Sequence, residues 1–512
     1  MDQEKLLQDI EKFELEIMQE YHQHSIGVQD NINSEKIYKK YKSLFGKEYV
    51  SNQKQLLSST SEKFDKRSQR YLYKFFVEHW MEHQLTSLSD KHANKEANAV
   101  VEWNKKKIPL RQMGIEIANT PDQKTRKEMF EASLPVKKEL LKIEKEVFDK
   151  VEKLREELGY ENEKVLYEEL KETDYTHLLD MLLPLLTETE KVYKEHLSSF
   201  LSQHKLELGK IHHYDLSFLW RAKQFDTFFP KEKALDTLKK TWKGLGFDLA
   251  NQKNIVIDAE DRPKKVPRAY CMPLKVPHEV HLVVKPKGGQ DDYQALLHES
   301  GHSQHYANTD EALAYPFKHM GDHAVSETYA FLIEYLTLSK EWLSTNTTLK
   351  GDDLQNYLHF NWLVNLFYVR RYVGKFLYEV KLFTNDMRKL DESWKPTSDS
   401  YDSLEDMYHH ILLQATLFEY PKINYLGDID GGFYVADYLR AWVMEAQLRA
   451  TLQEKFGDHW FTQSEAGAYI KKEYFSFGDK LIIDEIALQA GYAELDVQPL
   501  LDQLLRPPLL PS

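Results

Sequence analysis

His298, Glu299 and His302 stand in the order His-Glu-Ser-Gly-His. Residues four apart on a helix differ by only about 40° around its axis, so both imidazoles project from one face and can grip one metal ion. Glu299 lies one residue further round, beside the metal's open position, where its carboxylate can take a proton from bound water. A catalytic zinc site needs a third protein ligand and leaves its fourth position to water. Glu327 lies downstream in GDHAVSETYAFLIEYL, a segment of helical texture that can return antiparallel to the metal. Asp322 and His323 compete for the role, and His323 shares a helical face with Glu327. Glu327 is the preferred third ligand, with His323 left open. His305, three residues beyond His302, also falls on the face of the two histidines and is read as a packed or solvated side chain.

Two helices must therefore meet, and something must hold them. The chain has 20 Gly and 17 Pro, and only four of each fall in the first 200 residues, so that half is expected to be nearly all helix. Between Ser133 and Gly159, Leu140, Ile143, Val147, Val151, Leu154 and Leu158 form one apolar stripe. Ser133 is expected to cap this helix, Pro135 to sit in its first turn, and Gly159 to take the left-handed stop. The texture changes from about Asn251 to Gly289, where Pro, Val and short alternations exclude a single helix. Glu279 to Val284 (EVHLVV) reads as a strand. His281 alternates with Val280 and Leu282 and so faces away from them. Cys271 reads as a small buried hydrophobe. Helical periodicity returns from Asp291, with Asp291 or Asp292 as the expected N-cap. A loop around Gly427 to Gly432 precedes another helix from about Tyr434 to Phe456.

The 512 residues suggest about three domains by length alone, or one large helical enzyme. Hydrophobic residues make up 42% and aromatics 12%, enough for a large core, which excludes a disordered chain. A net charge of −14 argues against a nucleic-acid partner. One cysteine excludes a disulfide framework and any Cys-rich zinc module, and fits a reducing compartment. The N-terminus, MDQEKLLQDIEKFELEIMQE, has no apolar run of secretory type. The longest apolar stretch, Leu178 to Leu186, is interrupted by Asp180 and Pro184 and is too short to span a bilayer. A soluble cytoplasmic protein without membrane partners is expected.

The order Arg268-Ala-Tyr-Cys271, then EVHLVV, GGQDDYQALLHESGH, AVSETYAF and, farther on, FYVADYLRAWVMEA (Phe433 to Ala446) resembles the thimet oligopeptidase and oligoendopeptidase F family of zinc peptidases. The clear match spans about Arg268 to Tyr329 plus Gly431 to Ala446. The resemblance implies a mostly α, two-lobed, zincin-like peptidase of the gluzincin kind, with a small β-sheet beside the HExxH helix and a deep substrate channel. We divide it into an N-terminal helical lobe, 1–220, and a catalytic lobe, 221–512. It also implies one Zn2+ per chain on His298, His302 and Glu327. Tyr438 best matches the family's transition-state tyrosine, with Tyr434 a weaker candidate one turn earlier. Tyr270, Tyr434 and His281 are the candidate substrate contacts. The family's histidine ahead of these tyrosines is missing: no His lies between Ile423 and Asp437, Asp428 stands near its place, and the nearest are His409 and His410.

The reading is a zinc-dependent metallopeptidase that hydrolyses internal bonds of short oligopeptides, with Glu299 as general base and Tyr438 hydrogen-bonded to the oxyanion. The exposed edge of EVHLVV is expected to hold the peptide by strand addition. The rivals are a helical binding or scaffold protein with a degenerate site, and a zinc hydrolase of non-peptide amides.

Overall fold

Long amphipathic runs in the first 160 residues fold as long helices: α1 (Gln3–Ser25), α2 (Lys63–Ala97) and α3 (Gln123–Glu157). The computed structural model describes residues 3–266 and 268–509. Between α2 and α3 stands a hairpin absent from the sequence reading, β1 (Val100–Trp103) and β2 (Lys106–Pro109), antiparallel. Its two turn residues, Asn104 and Lys105, both have positive φ (51° and 62°), the handedness that matches the twist of paired strands. The start of α3 also differs from expectation. Asp122 is the N-cap, its carboxylate accepting the Thr125 N–H at 2.8 Å. Ser133 is buried inside the helix and bonds the Phe130 carbonyl at 2.6 Å, and Pro135 lies in the helix interior. The buried face carried by Leu140, Ile143 and Leu154 outweighs the one backbone bond that a proline removes. Gly159 does take positive φ (84°) just beyond the helix end.

The three-stranded sheet consists of β3 (Ile255–Asp258), β4 (Tyr270–Lys275) and β5 (Glu279–Val283) in the order β3-β5-β4. β5 is therefore the central strand, parallel to β3 (Ile255 opposite Val280) and antiparallel to β4 (Cys271 opposite Leu282). This corrects the expectation of a free EVHLVV edge: IVID, within the stretch of short alternations but not singled out as a strand, forms β3 and covers it. The edges lie on β3 and β4.

Helix α4 (Gln290–Ala307) lies across β4 and β5. Its N-cap is Gly289, at φ 97°, and neither aspartate takes the role. Asp292 instead accepts the N–H groups of Lys287 and Gly288 at 2.7 and 2.9 Å, tying down the glycine turn. There follow α5 (His323–Glu334), α6 (Gly351–Phe383), a second hairpin of β6 (Arg388–Leu390) and β7 (Pro396–Ser400), and α7 (Tyr434–Phe456). Helix α5 is sandwiched between α4 and α7. A buried charge network fixes this stack. Asp322 caps α5 at the Ala324 N–H and pairs twice with Arg440 of α7, at 2.6 and 2.8 Å; Arg440 also bonds Asp437, which takes the Lys171 ammonium at 2.7 Å. The chain is mostly helical with small sheets, as expected. One main core runs from Ile10 to Leu504, and a small cluster that includes Val101, Met113 and Met129 lies under the first hairpin. Among the described residues no helix is long and apolar enough to cross a membrane.

Candidate metal centre

The site begins with a glycine. A Cβ on Gly301 would stand 2.6 Å from the Ala330 Cα and 2.7 Å from the Tyr329 carbonyl oxygen, so α4 and α5 approach at a distance that only a residue without a side chain permits. Ser300, beside it, accepts the Trp242 indole N–H at 2.9 Å and so anchors the outer side of α4. The close approach puts Glu327 against the two histidines. Its Oε2 oxygen is 3.3 Å from Nε2 of His298 and 3.7 Å from Nε2 of His302.

The other polar atoms of these side chains are already engaged. His298 Nδ1 lies 2.8 Å from Glu334 Oε2, His302 Nδ1 lies 2.6 Å from Ser326 Oγ, and Tyr434 donates its hydroxyl to Glu327 Oε1 at 2.8 Å. What remains is two Nε2 atoms and one oxygen, Glu327 Oε2, which is buried and accepts no hydrogen bond. One donor atom from each of the three residues lies within 4.8 Å of the others. Two imidazoles and a carboxylate so placed could hold a metal ion, with outer partners on both Nδ1 atoms to fix the rings as such ligands require.

The electrostatics favour a positive charge between these groups. Burial opposes a charge on His298, but the carboxylates of Glu327 and Glu334 outweigh it and hold the imidazole well above the ordinary histidine range. Burial brings His302 down to about 4. Burial also works against ionised Glu327, yet His302, His298 and the Tyr434 hydroxyl bring it to about 2. Glu299 behaves differently. Burial lifts its carboxyl to about 7, against the pull of His298 and of the Cys271 N–H that it accepts at 2.9 Å. A carboxyl poised near neutrality is suited to taking and returning a proton. Since the Cys271 N–H is turned to Glu299 and away from β5, this carboxyl stands at the edge of β4 that pairs with no strand among the described residues.

Tyr438 is half-buried, its ring packed on Phe331, Tyr372 and Tyr434; Phe331 in turn packs on His298. The alternatives to Glu327 are placed elsewhere: Asp322 is held by Arg440, and His323 packs on Tyr434. His305 does not share the metal-facing side. It is buried among Tyr306, Tyr329 and Phe475, because α5 and the aromatic layer behind it fill that flank. Tyr270 and His281 lie on the sheet face opposite α4, where both meet His22 of α1, at 3.1 Å for the tyrosine hydroxyl and 4.5 Å between ring centres for the histidine. Cys271 lies within β4, its thiol raised by burial. Asp428 turns to Arg371 and Tyr408, at 2.6 and 2.9 Å, and His409 bonds the Tyr420 carbonyl at 2.7 Å. Sequence reasoning missed Glu334 and Ser326. Glu334 lies two turns beyond Glu327 on the same face, a spacing that would have pointed to it.

No protein-family model and no curated protein matches this sequence. Among solved structures, the crystal structure of a provisionally named oligoendopeptidase F from Bacillus anthracis str. Ames is similar, with a TM-score of 0.64 over 95% of this chain and 86% of that one. Sequence identity is 16%, so the likeness is one of fold.

Proposed function

We propose that this protein is a zinc-dependent peptidase that hydrolyses internal bonds of short oligopeptides. The observation that carries the reading is the convergence of Glu327 Oε2, which accepts no hydrogen bond, on the Nε2 atoms of His298 and His302. His298, His302 and Glu327 would hold one Zn2+ per chain. When bound, the ion supplies a Lewis acid and lowers the pKa of a water towards 7. Glu299 accepts the proton of the attacking water and returns it to the leaving amine. Tyr438 donates to the developing oxyanion, while Tyr434 holds Glu327. The extended peptide lies along the free edge of β4, next to Glu299, in place of the β5 edge. Two lobes, 1–220 and 221–512, enclose the peptide in a channel, and the single cysteine fits a cytoplasmic location.

The fold likeness to a protein named for oligoendopeptidase activity supports this reading. So does the low exposure of the centre: the His298, His302 and Glu327 side chains are 14%, 13% and 6% exposed. The test is digestion of a mixed peptide library and of an intact folded protein by the zinc-loaded enzyme, with products read by mass spectrometry. Internal cleavage of the peptides and survival of the folded protein are expected. Metal binding without any peptide cleavage would overturn the peptidase reading.

A further inference from the structure

A cavity of about 580 Å³ is lined from both halves of the chain and shares no residue with the metal centre. Phe130 and Lys137 of α3 and the helix His213–Trp220 form one side, and Phe367, Tyr368 and Arg371 of α6 form another. Three side chains there carry nitrogens that the fold leaves unused. Arg371 spends Nε on the Tyr420 hydroxyl at 3.1 Å and Nη2 on Asp428 at 2.6 Å, while its Nη1 makes no hydrogen bond among the described residues. Lys137 Nζ has the Asn424 side-chain oxygen at 3.4 Å and no ion pair among the described residues. His213 packs edge-on against the Tyr420 ring, and neither of its ring nitrogens makes a hydrogen bond among the described residues. The unpartnered nitrogens of Arg371 and His213 are not sealed in the protein, unlike the indole nitrogen of Trp220, so each keeps surface that a ligand can reach.

The charges of the cavity do not cancel. Asp428 is already taken, since the Tyr408 hydroxyl donates to its second oxygen at 2.9 Å. The one carboxylate in the lining, Glu96, stands 3.9 Å from Arg111, and both side chains are exposed. Burial works against the Lys137 ammonium, and Glu144 and Glu96 support it without reaching ion-pair distance. Burial brings His213 down to about 4 against the pull of Asp428, with Lys137 and Arg371 adding to the fall. Donors are thus in excess and an anion is wanting. A bare inorganic anion would leave most of the lining unused, because Met113, Ile117, Leu216 and the rings of Phe130, Trp220 and Phe367 present apolar surface. A carboxylate attached to an apolar side chain answers both parts. The cavity is also joined to the metal centre. The Arg371 guanidinium lies 5.5 Å from the centre of the Tyr372 ring, and Tyr372 meets Tyr438 edge-on at 5.8 Å between ring centres. Resting on the peptidase reading above, we propose that this cavity holds the C-terminal residue of the peptide, its carboxylate against Lys137 and Arg371 and its side chain against Phe130, Trp220 and Phe367. Peptides that end in a free apolar residue are then the preferred substrates.

The test has two arms. In the first, the zinc-loaded enzyme is given one peptide ending in phenylalanine, as the free acid and as the amide. The acid should have a kcat/KM at least about tenfold higher, carried by KM, because a contact at the peptide end is equal in ground and transition states. Lys137→Gln removes an ammonium that pairs with no carboxylate, so the variant should fold with a melting temperature no lower and should treat acid and amide alike. In the second arm, calorimetry follows the binding of N-acetylphenylalanine and of its amide to the whole chain. The acid should bind at least about tenfold more tightly than the amide, as charge-assisted contacts require. That advantage should vanish in Lys137→Gln and persist in His298→Ala, which separates this cavity from a carboxylate seated on the metal. The acid should also inhibit peptide cleavage competitively, since probe and peptide end share one place. Equal turnover of peptide acid and amide, an undiminished preference in Lys137→Gln, loss of acid binding in His298→Ala, or non-competitive inhibition would each overturn the proposal. The two readings fail separately. Cleavage of neither peptide, with the acid still bound through Lys137, would overturn the peptidase reading, whereas equal binding of N-acetylphenylalanine and its amide would overturn the carboxylate site alone.

Discussion

Tyr434 hydrogen-bonds one oxygen of the Glu327 carboxylate and leaves the other without a partner. The tyrosine thereby settles which lone pairs of Glu327 face the two imidazoles, and it ties α7 to the α4–α5 pair at the point where the metal would sit. Tyr438, one turn further along α7, makes ring contacts with Tyr434 and Phe331. The two tyrosines therefore have separable roles. Tyr438→Phe should lower kcat by about 10²–10³-fold with little change in KM, as loss of an oxyanion donor does. Tyr434→Phe should weaken zinc affinity and leave kcat of the zinc-saturated enzyme nearly unchanged. Steady-state kinetics at saturating zinc decides, and a Tyr438→Phe effect confined to KM would mark that residue as a wall of the site.

Metal analysis of the purified protein should find about one zinc per chain, since three protein ligands with one open position describe a single catalytic site. His298→Ala, His302→Ala and Glu327→Ala should each lose it, and His323→Ala should keep it. Loss in His323→Ala with retention in Glu327→Ala would reverse the assignment of the third ligand.

Glu334 contacts the candidate metal centre through His298 Nδ1, at 2.8 Å. A carboxylate in that position orients the ring and raises its basicity, so Glu334→Gln should weaken zinc affinity by about 10–100-fold. Competition with a chromophoric chelator measures it directly. An unchanged zinc dissociation constant would show that Phe331 packing alone orients the ring.

Glu299→Gln keeps the shape of the side chain and removes its basicity. Zinc content should be unaffected while peptide turnover falls by about 10²–10⁴-fold. Turnover at the level of the unmodified enzyme would end the assignment of Glu299 as base.

The sequence made the facing histidine pair legible because a four-residue step on a helix has one geometric consequence, and the structure brings Glu327 to His298 and His302. The boundaries of α7 were equally plain, since the glycine loop before Tyr434 and Gly457 after Phe456 punctuate it. Elsewhere local signals competed. Pro135 suggested a helix start, yet Asp122 and a long buried stripe place that start earlier. The hairpin at Asn104–Lys105 hid among lysines because its turn needs positive φ, and a lysine rarely signals that. The centrality of β5 was beyond reach for another reason. Strand order is set by long-range pairing, and the alternation in EVHLVV is the same whether one edge or both are covered.

Gly301 offers the sharpest test of how the fold sets the chemistry. In Gly301→Ala the added methyl would meet the Ala330 Cα and the Tyr329 carbonyl oxygen, both backbone atoms, so no flexible side chain can yield. Helix α5 must shift, and overpacking of this kind costs about 1–3 kcal/mol. Glu327 lies one turn before Ala330 on the same helix, so the shift also draws Oε2 away from the two imidazoles. Thermal stability and zinc affinity should therefore fall together. The neighbouring Ser300→Ala gives the contrast. It leaves the buried Trp242 indole N–H without its acceptor, a loss of about 1–3 kcal/mol, but adds nothing between the helices. Ser300→Ala should thus lower the melting temperature while zinc affinity holds. Equal zinc affinity in both variants would show that the spacing of α4 and α5 does not govern the metal site.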